Sequence, residues 1–386
     1  MTYDEAVKKR IEDIFPKLKK LADYIYNNPE YNFEEYKACK AVSELLTELG
    51  LSVELPYGGL ETAVKGVYDS GKPGLNLGFI GEYDAFPGMG HSCGHNLMSP
   101  IAIGAAYSLF PLVDEFGGKI TFIGTPAEEG GGGKVIMLEN GAFDGLDTAM
   151  IIHPASETVV QDISYSKTDV ILDFYGKKSH AATWPDEGIN ALVPVLELFN
   201  ILNSLRAELE HKGKIIGIIT KGGDEPIWVP DHCQAKFTVR SFSMKDKWEQ
   251  YDRLLAISKN LAAITGTRFE YKIDGHSYED IRNNPVLEEL LTAKFEALGE
   301  DVMPREKELG IGCTDMGNVT HVIPGLQSYV FVAPDIRPHT PEAEAAFGTK
   351  AGHRALLVAA QAVAMTGAEI LADPSCIQRI RQAFGN

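Results

Sequence analysis

The stretch LNLGFIGEYDAFPGMGHSCGHN, residues 75–96, runs from an apolar segment into a loop rich in carboxylate, histidine and cysteine side chains. Its first six residues have the composition of a buried β-strand, and Glu82 and Asp84 follow almost directly. In open α/β sheets, binding sites collect beyond the carboxyl ends of the strands. The stretch therefore predicts a strand that delivers chemically active side chains to a site.

Three later apolar runs also lead into residues that can bind a metal or move a proton. The runs and the residues after them are ITFIG (120–124) with Glu128 and Glu129, TAMII (148–152) with His153, and YVFVA (329–333) with His339. Because four separate strand ends carry such side chains, we predict an α/β fold whose strand ends together build one site.

A different pattern occupies residues 167–276, where the segments follow the order β-α-β-β-α-β of a ferredoxin-like unit. The chain has 386 residues, and a single hydrophobic core stops growing at about 250–300 residues. We therefore expect a discontinuous main domain of residues 1–166 and 277–386, with residues 167–276 inserted as a second domain.

Charge and cysteine content limit the class of protein. A formal net charge of −18 disfavours binding to nucleic acid, which depends on clustered Lys and Arg. The longest apolar segment, expected at 101–113, is shorter than the roughly 20 residues of a membrane span, and the N-terminus lacks the pattern of a signal peptide. The five cysteines have no paired spacing, which indicates reduced thiols. We expect a cytoplasmic protein that binds neither nucleic acid nor membranes.

Cys93 and His95 lie two positions apart in a glycine-rich loop, where both side chains can point into one cavity. Thiolate and imidazole are natural ligands for Zn²⁺ and similar metals. An alternative is a nucleophilic Cys93 with His91 or His95 as its base. The adjacent carboxylates Glu128 and Glu129 favour a metal, since neighbouring like charges are costly without a cation nearby.

Five residues at the strand ends are candidate metal ligands. They are Cys93, His95, Glu129, His153 and His339. One open zinc site uses fewer protein ligands, whereas two metals about 3.5–4 Å apart can share five. The sequence therefore predicts two divalent ions per subunit; zinc is favoured, with manganese, cobalt or nickel open. A nucleophilic Cys93 would leave Glu129 and the two later histidines without a role.

The whole chain resembles the M20 metallopeptidases and amidohydrolases, in the branch whose metal centre contains Cys-Gly-His. The motifs that carry the resemblance are NPEYNFEEYKA, GEYDAFPGMGHSCGHN, TPAEEGGGGK, HP at 153, GKKSHAATWPDEGINAL, GGDEPIWVPDHCQAKFTVRS, CTDMGNVTHVIPG and HTPEAEAAFG. Asn96 and the TDMGNV segment are similar to the subgroup of p-aminobenzoyl-glutamate hydrolases and dipeptidase-like members.

This resemblance implies a zinc-peptidase-like α/β catalytic domain with an inserted lid and dimerisation domain. It implies that the five candidate ligands hold two metals, that Glu128 is the general base for a metal-activated water, and that Asp84 orients a ligand. The implied substrate is a small amide: an N-acyl amino acid, a dipeptide or an aminobenzoyl-amino acid. A relative that kept the fold without catalysis is a further alternative, which the retention of Glu128 disfavours.

The inserted domain carries further residues that match the family. His180 matches a histidine that, in relatives, polarises the scissile carbonyl across a dimer, so the resemblance implies a homodimer through this domain. Arg240 matches an arginine that holds the substrate carboxylate. Asp315, by its position alone, is expected to line the substrate pocket. Ile227 or a neighbour stands where many relatives have Asn, so an apolar wall from Trp228 is expected in place of a polar contact.

Overall fold

A computed structural model describes residues 2–209, 213–305 and 312–385. The chain divides into two compact units. Unit 1 comprises residues 1–163, 281–310 and 315–386, and unit 2 comprises residues 164–280 and 311–314. Each unit therefore has its own core and is described separately.

The strands alternate with helices along most of the chain. The strands are β1 (Ser52–Glu54), β2 (Val64–Asp69), β3 (Asn76–Glu82), β4 (Lys119–Thr125), β5 (Thr148–Ala155), β6 (Ser166–Tyr175), β7 (Lys214–Lys221), β8 (His232–Ser241), β9 (Arg268–Ile273) and β10 (Gly325–Phe331). The helices are α1 (Tyr3–Tyr26), α2 (Tyr36–Glu48), α3 (His95–Ser108), α4 (Phe110–Phe116), α5 (Gly133–Glu139), α6 (Leu192–Leu209), α7 (Met244–Thr265), α8 (Pro285–Ala297), α9 (Met316–Thr320), α10 (Pro341–Phe347), α11 (Lys350–Ala372) and α12 (Pro374–Phe384).

Unit 1 contains a six-stranded sheet in the order β1-β2-β4-β3-β5-β10. Strands β4, β3, β5 and β10 are parallel neighbours, and β1 and β2 form an antiparallel margin. The four apolar runs singled out in the sequence correspond to these parallel strands. Because parallel strands end at the same edge of the sheet, the loops that follow them are brought together.

The core of unit 1 lies between this sheet and three helices. Helix α3 packs on β3 and β5 and also against α1 and α11, so it is buried on nearly all sides. Helix α11 is long and apolar enough to span a membrane, yet most of it is buried in this core. The expectation that residues 101–113 are the longest apolar stretch was therefore wrong: α11 is longer, and its apolar surface faces protein.

Unit 2 contains a four-stranded antiparallel sheet in the order β7-β8-β6-β9. Residues of β6 and β8 alternate between buried and partly exposed, as expected for a sheet covered on one face. Helices α6 and α7 pack against that sheet and share its core. The observed order β6-α6-β7-β8-α7-β9 is the predicted one, and the α/β fold with a second, antiparallel domain is confirmed.

Candidate metal centre

Asp84, just beyond β3, orients two of the predicted ligands with its two carboxylate oxygens. His95 Nδ1 donates a hydrogen bond to Asp84 Oδ1 at 2.9 Å, and the backbone N–H of Glu129 donates to Asp84 Oδ2 at 2.9 Å. With Nδ1 committed in this way, the other ring nitrogen, His95 Nε2, faces the centre. That atom is buried, makes no hydrogen bond among the described residues, and lies 3.3 Å from Glu82 Oε2, so it is available to a metal ion.

Gly94 separates Cys93 from His95 and precedes the first residue of α3. Its φ of +84° is a left-handed conformation that favours glycine, and a Cβ at this position would lie 2.4 Å from Pro154 Cγ. Only glycine therefore fits between the two ligands. The tight turn lets Cys93 and His95 reach the same cavity from opposite sides of one residue.

The loop after β4 presents Glu128 and Glu129. Ala127, directly before them, has a φ of +58°, and the backbone N–H groups of Gly131 and Gly132 both donate to its carbonyl. A Cβ on Gly131 would lie 2.4 Å from the Phe33 ring. Glycine is thus required at position 131, where the loop that follows the two carboxylates turns back against the Phe33 ring.

His153 and His339 complete the predicted set. His153 Nδ1 donates to the carbonyl of Pro154 at 2.7 Å, so Nε2 is the nitrogen available for a metal. His339 Nε2 lies 3.2 Å from Glu129 Oε1 and 3.6 Å from Cys93 Sγ. His339 has a φ of +62°, an uncommon conformation for a residue with a side chain, and such backbone strain often marks functional sites.

The structure brings all five predicted ligands and Glu128 into overlapping groups whose ligand atoms lie within 4.8 Å of one another. The groups are Cys93, His95 and His153; Cys93, Glu129 and His339; and His95, Glu128 and Glu129. A thiol, three imidazoles and carboxylates form a donor set that fits zinc or a similar metal. The residues present therefore fit two divalent ions.

The electrostatics of the centre show an excess of negative charge. Burial, followed by the charges of Glu82, Glu129 and Asp315, raises the pKa of Glu128 well above its ordinary value. Burial acts against the ionised form of Glu129, but the hydrogen bond from His339 and the charge of His95 lower its pKa to about 2. Burial and the charge of Glu129 raise the pKa of the Cys93 thiol. Bound cations would favour the ionised form of each group.

Lys134, which the sequence analysis did not single out, lies fully buried beside these ligands. Its Nζ binds Glu82 Oε1 at 2.5 Å and Asp315 Oδ1 at 2.7 Å, and its backbone N–H donates to Asp315 Oδ2 at 2.8 Å. Both oxygens of Asp315 are thus engaged, and its role in contacting substrate stays a prediction. A lysine directly after four glycines was the only signal in the sequence.

His91, an alternative base for Cys93, is held away from that role. Its Nε2 donates to the carbonyl of Ile25 at 3.0 Å, and burial lowers its pKa to about 3. The pKa of the Cys93 thiol is raised, whereas a nucleophilic cysteine requires a lowered one. The geometry therefore favours His91 as a residue that ties its loop to α1.

His180 lies in unit 2, next to two exposed tryptophans. Its Nδ1 accepts hydrogen bonds from the backbone N–H groups of Ala182 and Thr183 at 3.3 and 3.1 Å. The neutral ring must then carry its proton on Nε2, which is thereby a hydrogen-bond donor. The rings of Trp184 and Trp228 lie edge-on to the imidazole, with centroid-to-centroid distances of 6.4 and 5.8 Å.

Arg240 belongs to β8 of unit 2 and is partly exposed. Its Nε is buried and has no hydrogen-bond partner among the described residues. Ile227 and Trp228 are 50% and 40% exposed, so the region that departs from the family pattern presents apolar surface. The roles expected for these residues and for His180 stay predictions.

The chain is similar in sequence to known peptidases and hydrolases. Residues 78–364 match the model of peptidase family M20/M25/M40. The Xaa-Arg dipeptidase of Mus musculus is 30% identical over an alignment that covers 97% of this chain and 90% of that protein. One of the p-aminobenzoyl-glutamate hydrolase subunits of Escherichia coli K12 is 31% identical, with 70% of this chain and 59% of that protein covered.

Solved structures share the same architecture. The Bacillus subtilis YXEP protein, described as a dinuclear metal binding peptidase from the M20 family, superposes with a TM-score of 0.73. The superposition covers 94% of this chain and 99% of that one, at 20% sequence identity. At this identity the similarity establishes the fold.

Proposed function

The chain belongs to peptidase family M20/M25/M40, and from that premise we propose that it hydrolyses the amide bond of a small N-acyl amino acid, dipeptide or aminobenzoyl-amino acid with two bound metal ions. The observation that carries this proposal is the position of Glu128, whose carboxylate lies within 4.8 Å of ligand atoms of His95 and Glu129. A carboxylate at that distance from a metal site can take a proton from a water bound there.

The protein residues divide the work. Cys93, His95, Glu129, His153 and His339 would hold the two ions. When bound, divalent ions lower the pKa of a coordinated water and polarise a carbonyl oxygen. Glu128 would accept the proton of the attacking water and deliver it to the leaving amine, a contribution of about 10²–10⁴-fold. Bound cations would favour the ionised form of Glu128, which is the form that accepts the proton.

His180 would donate a hydrogen bond from Nε2 to the carbonyl oxygen as negative charge develops on it. In this proposal the histidine comes from a second copy of the chain, and the enzyme is a homodimer through unit 2. An apolar edge strand supports the dimer, because β7 exposes Ile216 and Ile218, which are 54% and 63% accessible. A second copy would cover that edge.

For the substrate, we propose that Arg240 binds a carboxylate and that Trp228 and Ile227 form an apolar wall. The similar proteins are named for an Xaa-Arg dipeptide and for p-aminobenzoyl-glutamate. Both kinds of amide, together with N-acyl amino acids, therefore belong in one assay panel. Mass spectrometry of the products, with each amide at equal concentration, identifies the class that is cleaved fastest.

For the metal, we propose zinc, because thiolate and imidazole donors favour it. Elemental analysis of protein purified without added metal should find two equivalents. Activity should disappear after treatment with a chelator and return with Zn²⁺ or Mn²⁺. Undiminished activity in metal-depleted protein would overturn the proposal and favour a nucleophilic Cys93, which iodoacetamide would then inactivate.

For the compartment, we propose the cytoplasm. Among the described residues, Cys39, Cys93, Cys233 and Cys376 form no disulfides. Cysteines without disulfide partners are typical of proteins in a reducing environment. Fractionation of cells that express the natural chain, followed by immunodetection, tests this assignment.

A further inference from the structure

Lys134 is a lysine without access to solvent, with 0% of its side chain exposed. Its ammonium contacts Glu82 from the end of β3 and Asp315 from the residue before α9. Although burial disfavours the charged amine, the carboxylates of Asp315, Glu82 and Glu128 raise its pKa. Lys134 is therefore a fixed positive charge among three carboxylates.

The backbone at Lys134 has little freedom to move. Its N–H donates to Asp315 Oδ2, and the preceding residue, Gly133, is so close to Pro126 that a Cβ would lie 1.9 Å from the Pro126 carbonyl oxygen. The constrained backbone thus fixes where the Lys134 side chain begins, and the ammonium is buried and not mobile at the surface. It can act as a rigid anchor for whatever it binds.

Glu82 connects this anchor to the metal centre. Its Oε1 contacts Lys134 Nζ at 2.5 Å, while its Oε2 lies 3.3 Å from His95 Nε2, the nitrogen assigned to a metal ion. Without the ammonium, the Glu82 carboxylate would be free to rotate, and a second acidic oxygen could compete for the position next to His95. The Lys134 ammonium therefore determines which oxygen lies next to His95 Nε2.

We propose that Lys134 is a positioning residue of the metal centre: by holding Glu82 Oε1, it fixes Glu82 Oε2 beside His95 and thereby sets the affinity for the ion that His95 binds. This inference rests on the proposed function. A gain in folding stability does not explain the buried lysine, since buried ion pairs often contribute less to the free energy of unfolding than apolar residues of similar volume. Residues that hold a ligand in place typically change metal affinity by about 10–100-fold when they are removed.

The test is a Zn²⁺ titration of the full chain against a competing chelator. Lys134→Met should lower the affinity of one of the two Zn²⁺ sites by about 10–100-fold. Unit 2 offers a matched control in Lys247, which is also 0% exposed and binds Glu279 at 3.0 Å. Lys247→Met removes a comparable ion pair and should leave both Zn²⁺ affinities within about twofold of the parent.

A cycle with Glu82→Gln tests the route of the effect and guards against misfolding of one variant. If Lys134 acts through Glu82, Glu82→Gln alone should weaken the same site, and Lys134→Met with Glu82→Gln should weaken it no further. Losses that multiply in the double variant would overturn the route. Parental Zn²⁺ affinity in both Lys134→Met and Glu82→Gln would overturn the inference itself.

The failure of the proposed function gives a different result. If the parent chain binds no Zn²⁺ or cleaves no amide in its presence, the proposed function falls. If the parent binds two Zn²⁺ ions and cleaves an amide, but Lys134→Met matches Lys247→Met in Zn²⁺ affinity, only the role of Lys134 falls.

Discussion

Asp84 and Glu128 both carry carboxylates in the centre, yet their surroundings suit them to different tasks. Asp84 accepts hydrogen bonds from His95 and from the backbone of Glu129, so its charge is used to hold other groups. Burial and acidic neighbours raise the pKa of Glu128, to which the proposed function assigns the transfer of a proton. At the scale of single residues, the neighbours of a carboxylate and not its identity separate an orienting group from a proton carrier.

The general-base assignment predicts a specific loss in Glu128→Gln. The amide is close in shape to the carboxylate but cannot take a proton, so we expect kcat to fall by about 10²–10⁴-fold. Zn²⁺ stoichiometry should be unchanged because Glu128 is not one of the five assigned ligands. Glu139→Gln, an exposed carboxylate of α5, is the control and should match the parent. A Glu128→Gln variant with parental kcat would contradict the assignment of Glu128 as the general base.

His91 predicts how stability depends on pH. Burial lowers its pKa from 6.5 to about 3, so the folded chain favours the neutral ring. The stability gained is complete above pH 6.5 and is lost as the pH falls towards 3, because the unfolded chain binds the proton more readily.

The thermal midpoint of the parent should therefore fall as the pH is lowered from 6.5 to about 4. In His91→Gln, which keeps a donor for the Ile25 carbonyl, the midpoint should fall less over the same interval. His276→Gln, which removes a histidine of unit 2, is the control. Its thermal midpoint should change with pH as that of the parent does. Calorimetry at matched ionic strength makes the comparison, and equal slopes for all three proteins would contradict it.

At the scale of the elements, periodicity and strand ends could be predicted because they are local. Strands β3, β4, β5 and β10 each overlap an apolar run that is followed, directly or after a short loop, by a ligand-type side chain. The contacts of Lys134 could not be predicted in this way. Its partner Asp315 is 181 positions away, and nothing in a run of glycines followed by lysine specifies which carboxylates it meets. Such contacts depend on the sheet order, which the sequence pattern does not contain.

The turn between β3 and α3 gives a prediction about Gly94. Gly94→Ala combines an unfavourable φ with a contact of 2.4 Å to Pro154, whereas Gly71→Ala has a similar φ of +71° and no neighbour within 4 Å. We expect the free energy of unfolding to fall by about 1 kcal/mol in Gly71→Ala and by about 3 kcal/mol or more in Gly94→Ala. Only Gly94→Ala should also lose Zn²⁺, since it moves Cys93 against His95. Equal thermal midpoints and equal Zn²⁺ contents in the two variants would contradict this account.

At the scale of the whole molecule, the two units have different surfaces. The centre in unit 1 is built from residues of that unit alone, and its formation depends on the parallel sheet. The sheet of unit 2 ends in β7, an edge strand with exposed isoleucines, which natural proteins usually protect. The homodimer proposed above would cover this apolar edge.

The dimer can be tested at that edge. Ile218 is 63% exposed on β7, and Ile218→Lys places a charge where a second copy would pack, so we expect sedimentation to show a monomer. If His180 acts across the dimer, the same variant should lose kcat by about 10²–10³-fold, as His180→Ala does. Ile264, 81% exposed on α7, is the matched control, and Ile264→Lys should stay dimeric and active. A parent that sediments as a monomer and is fully active would refute both the dimer and the reach of His180 into a partner's site, while a monomeric Ile218→Lys with full activity would refute only the latter.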